Sequence, residues 1–335
     1  MSQLSVGLEI TTAPFTHQGL STRRLMLEVL LSLIPVVAAS VYFFGISALL
    51  VTGAAVVGAA GTEMLLTREG EGERSLGPLR DGSAILTGIL LALTLPPAIP
   101  LWMAFLGGAV SIGLGKAIWG GLGENLFNPA LVGRAFLQAA FPLALTTWAP
   151  PKQGFLALQP STLAPPFFRA AVDGTTMATP LGLAKFEGVF TDVQPLLTGA
   201  TAGSLGETAG GLLLVCGLYL GIRRVFDWRL TLSTLTAVAA SAGALYLWDS
   251  STHPDPLFEL CSGGLLFGAV YMVTDPVTSP ITPKGAWVFG AGVGTLVVLI
   301  RAFGGLAEGV MYAILLMNSV TPLINRFTQS RRFGG

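Results

Sequence analysis

Asp173, Thr175, Thr176 and Thr179 crowd into AVDGTTMATPL, residues 171–181. A threonine hydroxyl is a weak nucleophile. A group is transferred to it only when an outside catalyst activates the oxygen, which demands an exposed, extended loop. Small neighbours such as Gly174 and Ala178 give that access. A second set of polar residues, Glu124, Asn125, Asn128, Arg134, Asp275, Glu308 and Asn318, falls inside or beside apolar segments. Ionisable groups there are costly and face a bundle interior, where they serve capping, helix pairing or contact with an ion or cofactor. Cys216 and Cys261 lack CxxC spacing, and His17 and His253 are far apart in sequence. Buried packing is therefore expected of them rather than metal binding.

Composition dictates the scaffold around these residues. Of 335 residues, 52% are hydrophobic and 11% charged, with a mean hydropathy of +0.71. That composition excludes a large water-exposed domain and indicates a polytopic all-α membrane protein. A formal net charge of zero gives no sign of nucleic-acid binding. The opening MSQLSVGLEITTAPFTHQGLSTRR is too polar for a signal peptide, so the apolar run from Leu25 is expected to stay as an anchor.

A bilayer core takes about 20 apolar residues per helix. Cutting the apolar runs at charges, proline pairs and glycine clusters gives ten segments: 25–44, 46–66, 83–95, 99–118, 125–145, 208–222, 229–248, 258–275, 285–301 and 306–325. The expected organisation is an N-terminal cytoplasmic segment 1–24, a first membrane repeat 25–145, a periplasmic connection 146–207, a second repeat 208–325 and a cytoplasmic tail 326–335. With the N-terminus inside, thirteen of the eighteen basic residues fall on the cytoplasmic side. Lys152, Arg169, Lys185 and Arg301 fall outside, and Arg134 lies within a span.

The halves echo each other. LTLPPAIP at 93–100 answers VTDPVTSP at 273–280, and GGLGE at 120–124 answers GGLAE at 304–308. An odd number of spans per half makes this an inverted-topology repeat of five helices each. Segment 83–95 is too short to cross, and its counterpart runs into Asp275-Pro276. Both are expected to unwind partway and border a central permeation or binding site. Such a scaffold also suits a secondary transporter or channel for a small polar solute.

The stretch Asp173-Gly174-Thr175-Thr176-Met177-Ala178-Thr179 resembles the flavinylation signal Asp-x-x-Ser/Thr-Gly-Ala-Thr, whose last threonine carries FMN through its phosphate. GGLGENLFNPALVGRAF (120–136), DGSAILTGILLALTLPP (81–97), TAGSLGETAG (201–210) and YMVTDPVTSP (271–280) resemble segments of the same family. That family joins the D subunit of the Rnf ferredoxin:NAD oxidoreductase complex to the B subunit of the sodium-pumping NADH:quinone oxidoreductase. With about two dozen residues before the first span, the chain is more similar to the D subunit. Met177 departs from the signal, where the family usually has a small residue. Thr198-Gly199-Ala200-Thr201 matches its four-residue core better, but Pro195 stands where the aspartate is required, and this favours Thr179 over Thr201.

The resemblance implies covalent FMN on Thr179, with Thr175 and Thr176 near its phosphate or ring, or else satisfying the loop backbone. It implies a non-covalent riboflavin near GGLGENLFNPALVGR, which contains Asn125, Asn128 and Arg134. It also associates Gly120, Gly121 and Glu124 with the quinone pocket of the quinone-reducing relatives. The implied function is an electron-carrying subunit of an ion-translocating complex in the bacterial inner membrane. Its implied partners are a periplasmic FMN-bearing G-type subunit, other Rnf membrane subunits, a flavin transferase, and Na⁺ or H⁺.

Overall fold

The computed structural model describes residues 22–66, 81–151, 154–166, 177–199, 201–207 and 209–329. Asp173, Thr175 and Thr176 therefore lie outside the described residues. The chain is helical: α1 (Thr22–Phe44), α2 (Ile46–Leu66), α3 (Ser83–Leu93), α4 (Leu101–Gly115) and α5 (Pro129–Ala140) precede the long connection. After it come α6 (Gly210–Ile222), α7 (Trp228–Trp248), α8 (Pro256–Cys261), α9 (Leu265–Phe267), α10 (Pro283–Phe303) and α11 (Val310–Thr328). Five helices among the described residues are long and apolar enough to cross a membrane: Thr22–Phe44, Ile46–Leu66, Leu101–Trp119, Trp228–Trp248 and Pro283–Phe303. Val310–Thr328 is as long but is interrupted by Asn318, Pro322 and Asn325. Local sequence sets several starts. Asn128 caps α5 ahead of Pro129, Asp227 caps α7, and Thr282 caps α10 ahead of Pro283.

Some expected segments are cut differently. Helix in 125–145 begins only at Pro129 and breaks at Phe141-Pro142. Segment 258–275 is divided into α8, α9 and a π turn over Gly268–Met272, and it ends before Asp275-Pro276. α3 stops at Leu93 after 11 residues, about 16 Å at about 1.5 Å per residue. Both unwindings fall where proline was expected to force them.

Unwound backbone inside an apolar bundle needs hydrogen-bond partners. The connection supplies them. Leu205 N and Gly206 N donate to Leu95 O and Leu93 O at 3.0 and 2.7 Å, and Leu101 N donates to Thr162 O at 3.0 Å. Ser161 Oγ donates to Ala98 O, and Ser47 Oγ, on α2, accepts from Gln159 N at 2.8 Å. Residues 146–207 are thus not all a surface loop: Thr162, Ala202, Ser204 and Leu205 are buried.

α2 packs most extensively on α4, and α7 on α10. Glycines set both crossings. A Cβ on Gly108 would stand 2.2 Å from Ala55 O of α2, and one on Gly294 would stand 2.5 Å from Thr234 O of α7. Gly108→Leu is expected to cost about 1–3 kcal/mol or more through overpacking. Gly53→Leu, whose Cβ would meet nothing within 4 Å, should be neutral within about 0.5 kcal/mol. Thermal melting of the purified chain compares the two.

Candidate functional site

Two recesses open at opposite ends of the bundle. The upper one, about 540 Å³, is lined by Thr179, Arg134, Trp148, Glu207, Glu308 and Tyr312 among others. That volume lies in the range of small-molecule sites. The lower one is a narrow cleft among the starts of α1, α3 and α5 and the end of α6, lined by Ser83, Lys116, Asn125, Asn128, Tyr271 and Asp275 among others.

Thr179 is partly exposed and extended, with φ −72° and ψ 156°, immediately before the short helix Pro180–Gly182. Its Oγ1 accepts from Gly182 N at 3.1 Å, an N-cap bond, so the hydroxyl both caps a turn and lies on the cavity wall. Ala178 lines the same cavity and is exposed. Leu181 anchors this segment in a cluster with Leu196 and Phe258. Lys185 donates to backbone carbonyls at the end of α10. Burial draws its ammonium below the usual lysine range, against the opposing pull of the Glu259 carboxylate.

Asn125 and Asn128 line the lower cleft, whereas Arg134 lines the upper cavity. Its Nη1 donates to Thr94 O, just past the end of α3, and stands 3.9 Å from Glu207 Oε1. Glu207 Oε2 accepts from Ser204 N at 3.3 Å. Arg134 is six residues beyond Asn128 on one helix, about 9 Å along the axis at about 1.5 Å per residue. One helix thus serves both recesses. Across the upper cavity, Glu308 Oε2 accepts from Gly264 N at 2.8 Å, and Glu308 Oε1 accepts from Gly309 N and Val310 N at the start of α11. Arg301, 3% exposed at its side chain, reaches Glu259 Oε2 at 2.7 Å and Glu308 Oε1 at 3.3 Å, and donates to Ser262 O at 3.0 Å.

In the lower cleft Asn128 caps α5, and Asn125 Nδ2 donates to Phe127 O at 3.2 Å. Asn125 Oδ1 is buried without a partner. Lys116 Nζ meets Glu63 Oε1 at 2.5 Å and Ser83 Oγ at 2.7 Å. Asp275 accepts from Val277 N and Thr278 Oγ1, tying the turn that follows the unwound segment.

Gly120, Gly121 and Glu124 line neither recess. The two glycines take left-handed φ of 111° and 109° in a turn after α4, and Glu124 is exposed. Glu308, the acid of the similar stretch GGLAE, is largely buried. Asn318 is fully buried with both amide atoms unpartnered. Thr201 lines the same cavity as Thr179, so the cavity alone does not choose between them. Cys216 is buried and Cys261 borders the upper cavity. Sequence reasoning missed Glu63, Glu207 and Glu259; the one available signal was that a cation in an apolar segment requires a counter-charge.

Five long apolar helices together with the broken segments define a multi-pass membrane protein. The chain belongs to the NQR2, RnfD, RnfE family, which it matches over residues 9–334. It is 42% identical to the D subunit of the ion-translocating oxidoreductase complex of Stutzerimonas stutzeri, over 94% of this chain and 92% of that one. It is 37% identical to the D subunit of the proton-translocating ferredoxin:NAD(+) oxidoreductase complex of Clostridium ljungdahlii, over 97% and 96% of the two chains. It is also 37% identical to the D subunit of the ion-translocating oxidoreductase complex of Yersinia enterocolitica, over 98% of each.

Arg301→Leu leaves the Glu259 and Glu308 carboxylates without their shared cation and is expected to cost about 3–5 kcal/mol. Adding Glu259→Gln to that variant should recover part of the loss, as read from the melting transition.

Proposed function

We propose that the chain is a flavin-carrying membrane subunit of an ion-translocating oxidoreductase of the Rnf type, with FMN joined through its phosphate to Thr179. The observation that carries this reading is the position of Thr179: its hydroxyl sits on the wall of a cavity of about 540 Å³, within the stretch that resembles a flavinylation signal. Full-length similarity to subunits named for ion-translocating oxidoreductases supports it.

The residues fit the group. Beside Thr179 stand Trp148 and Tyr312, which offer flat apolar faces, and Arg134, whose guanidinium has bond-donor capacity left after Thr94 O. Esterification of Oγ1 replaces its proton, and the oxygen retains a lone pair toward Gly182 N. Tethering keeps the cofactor at high local concentration beside its redox partner. In the lower cleft, about 70 Å³ as it stands, Asn125 and Asn128 are proposed to border a non-covalent riboflavin that the cleft must widen to admit, and the orphaned Asn125 Oδ1 is a free acceptor for it. Flavins supply one- and two-electron transfer at such positions. The protein's own part is to hold the two sites near opposite ends of α3 and α5.

The proposed orientation places both termini in the cytoplasm and Thr179 on the periplasmic side of a bacterial inner membrane, following the basic residues. The G-type subunit and a flavin transferase then meet the chain from the periplasm. The inverted repeat belongs to the same proposal, supported by the matched packing of α2 on α4 and α7 on α10 and by the matched breaks after α3 and after the π turn Gly268–Met272. Coupled movement of Na⁺ or H⁺ is assigned to the assembled complex.

In denaturing gels, wild type coexpressed with its flavin transferase should fluoresce, and Thr179→Val should be dark. Thr179→Ser, which keeps an acceptor oxygen and the cap, and Thr201→Val should both retain the signal. Wild type without fluorescence would instead favour a secondary transporter. Asn125→Leu should lower the acid-released, non-covalent flavin severalfold and leave the gel fluorescence unchanged.

A further inference from the structure

Lys185, six residues beyond Thr179, sends its ammonium to the last turn of α10. Its Nζ lies 3.4 Å from Ile300 O, 2.8 Å from Arg301 O, 2.5 Å from Gly304 O and 2.9 Å from Leu306 O. An ammonium has three N–H bonds. Four carbonyl oxygens exceed what directed bonds can use, and this is how backbone carbonyls gather around a bare ion in place of its hydration shell.

Charge favours a cation here for two further reasons. Ile300 O already accepts from Gly304 N at 2.9 Å, but all four carbonyls lie at or just beyond the C-terminus of α10, where its dipole presents the negative end. Glu259 and Glu308 also share the single Arg301. Counted as ionised, that cluster has one negative charge in excess, and Lys185 balances it.

We propose that the carbonyl oxygens of Ile300, Arg301, Gly304 and Leu306 form a seat for a monovalent cation of ammonium size, which Lys185 fills as a tethered cation, latching the Thr179 segment to α10. The seat is made of the backbone of residues 300–306 and does not depend on the flavin reading. Tethering gives Lys185 a high effective concentration, so in the native chain it holds the seat against dissolved salts. Without it, a free cation takes its place. Residues 183–187, otherwise held through the apolar cluster around Leu181, are secured by this contact.

Two measurements on the purified full chain test this. Acylation by a small active ester, followed by peptide mass spectrometry, should modify Lys185 several-fold more slowly than the exposed Lys284; equal rates would overturn the seating. Lys185→Met keeps the apolar stem and removes the charge. Its melting temperature should rise saturably in potassium or ammonium chloride relative to choline chloride at equal ionic strength, while wild type melts alike in all three. A Lys185→Met chain that responds equally to the three salts, or that is unfolded in all of them, overturns the cation seat.

Discussion

The backbone of two interrupted segments must find hydrogen bonds inside an apolar bundle, and most of the architecture follows from that requirement. α3 ends at Leu93, and the carbonyls beyond it have no helix to continue into. Water is not available in such an interior, and an unmet peptide group there costs several kcal/mol. The long connection therefore dips back to meet residues 93–101 from two sides, through 161–162 and 205–206. Because residues 201–207 are drawn inward for this purpose, Ala202, Gly203 and Glu207 form one wall of the upper cavity. The recess is a by-product of satisfying the break.

The buried charges obey the same logic. Arg134 donates to Thr94 O, and Arg301 donates to Ser262 O, each a carbonyl at an interruption. Each guanidinium also stands near a carboxylate, Glu207 for one and Glu259 with Glu308 for the other. Lys116 does the corresponding work at the opposite end with Glu63 and Ser83. Arginine suits the two breaks because its planar fork reaches a carbonyl and a carboxylate together, whereas a lysine ammonium is a compact charge. These groups first stabilise irregular backbone. Because they also line recesses, any charge a bound group gains there is felt at a low effective dielectric, where it matters far more than in water.

Thr179 combines a structural bond with chemical access. Its side chain caps a short turn, and the Leu181 cluster and Lys185 hold the residues after it. Thr179 thus lines the cavity while its side-chain oxygen secures the turn behind it. GGLGE and GGLAE show how far two similar stretches can differ in setting. Gly304 and its neighbours are clamped by Lys185, and Glu308 turns inward to Arg301. The left-handed glycines at 120 and 121 make an open turn, and Glu124 faces solvent.

Where helices run and where they stop was legible in the order of the amino acids. Hydrophobic length marked α1, α2, α4, α7 and α10, and Leu-Pro-Pro and Asp-Pro marked the breaks, because proline acts on its own backbone and its neighbour's regardless of the rest of the fold. Folding in three dimensions settled the remainder. Arg134 finds Glu207 and Lys116 finds Glu63 across long separations in the chain. Those pairings depend on which backbones lie close enough to share a bond, and closeness between distant segments is set by packing, which no local pattern encodes.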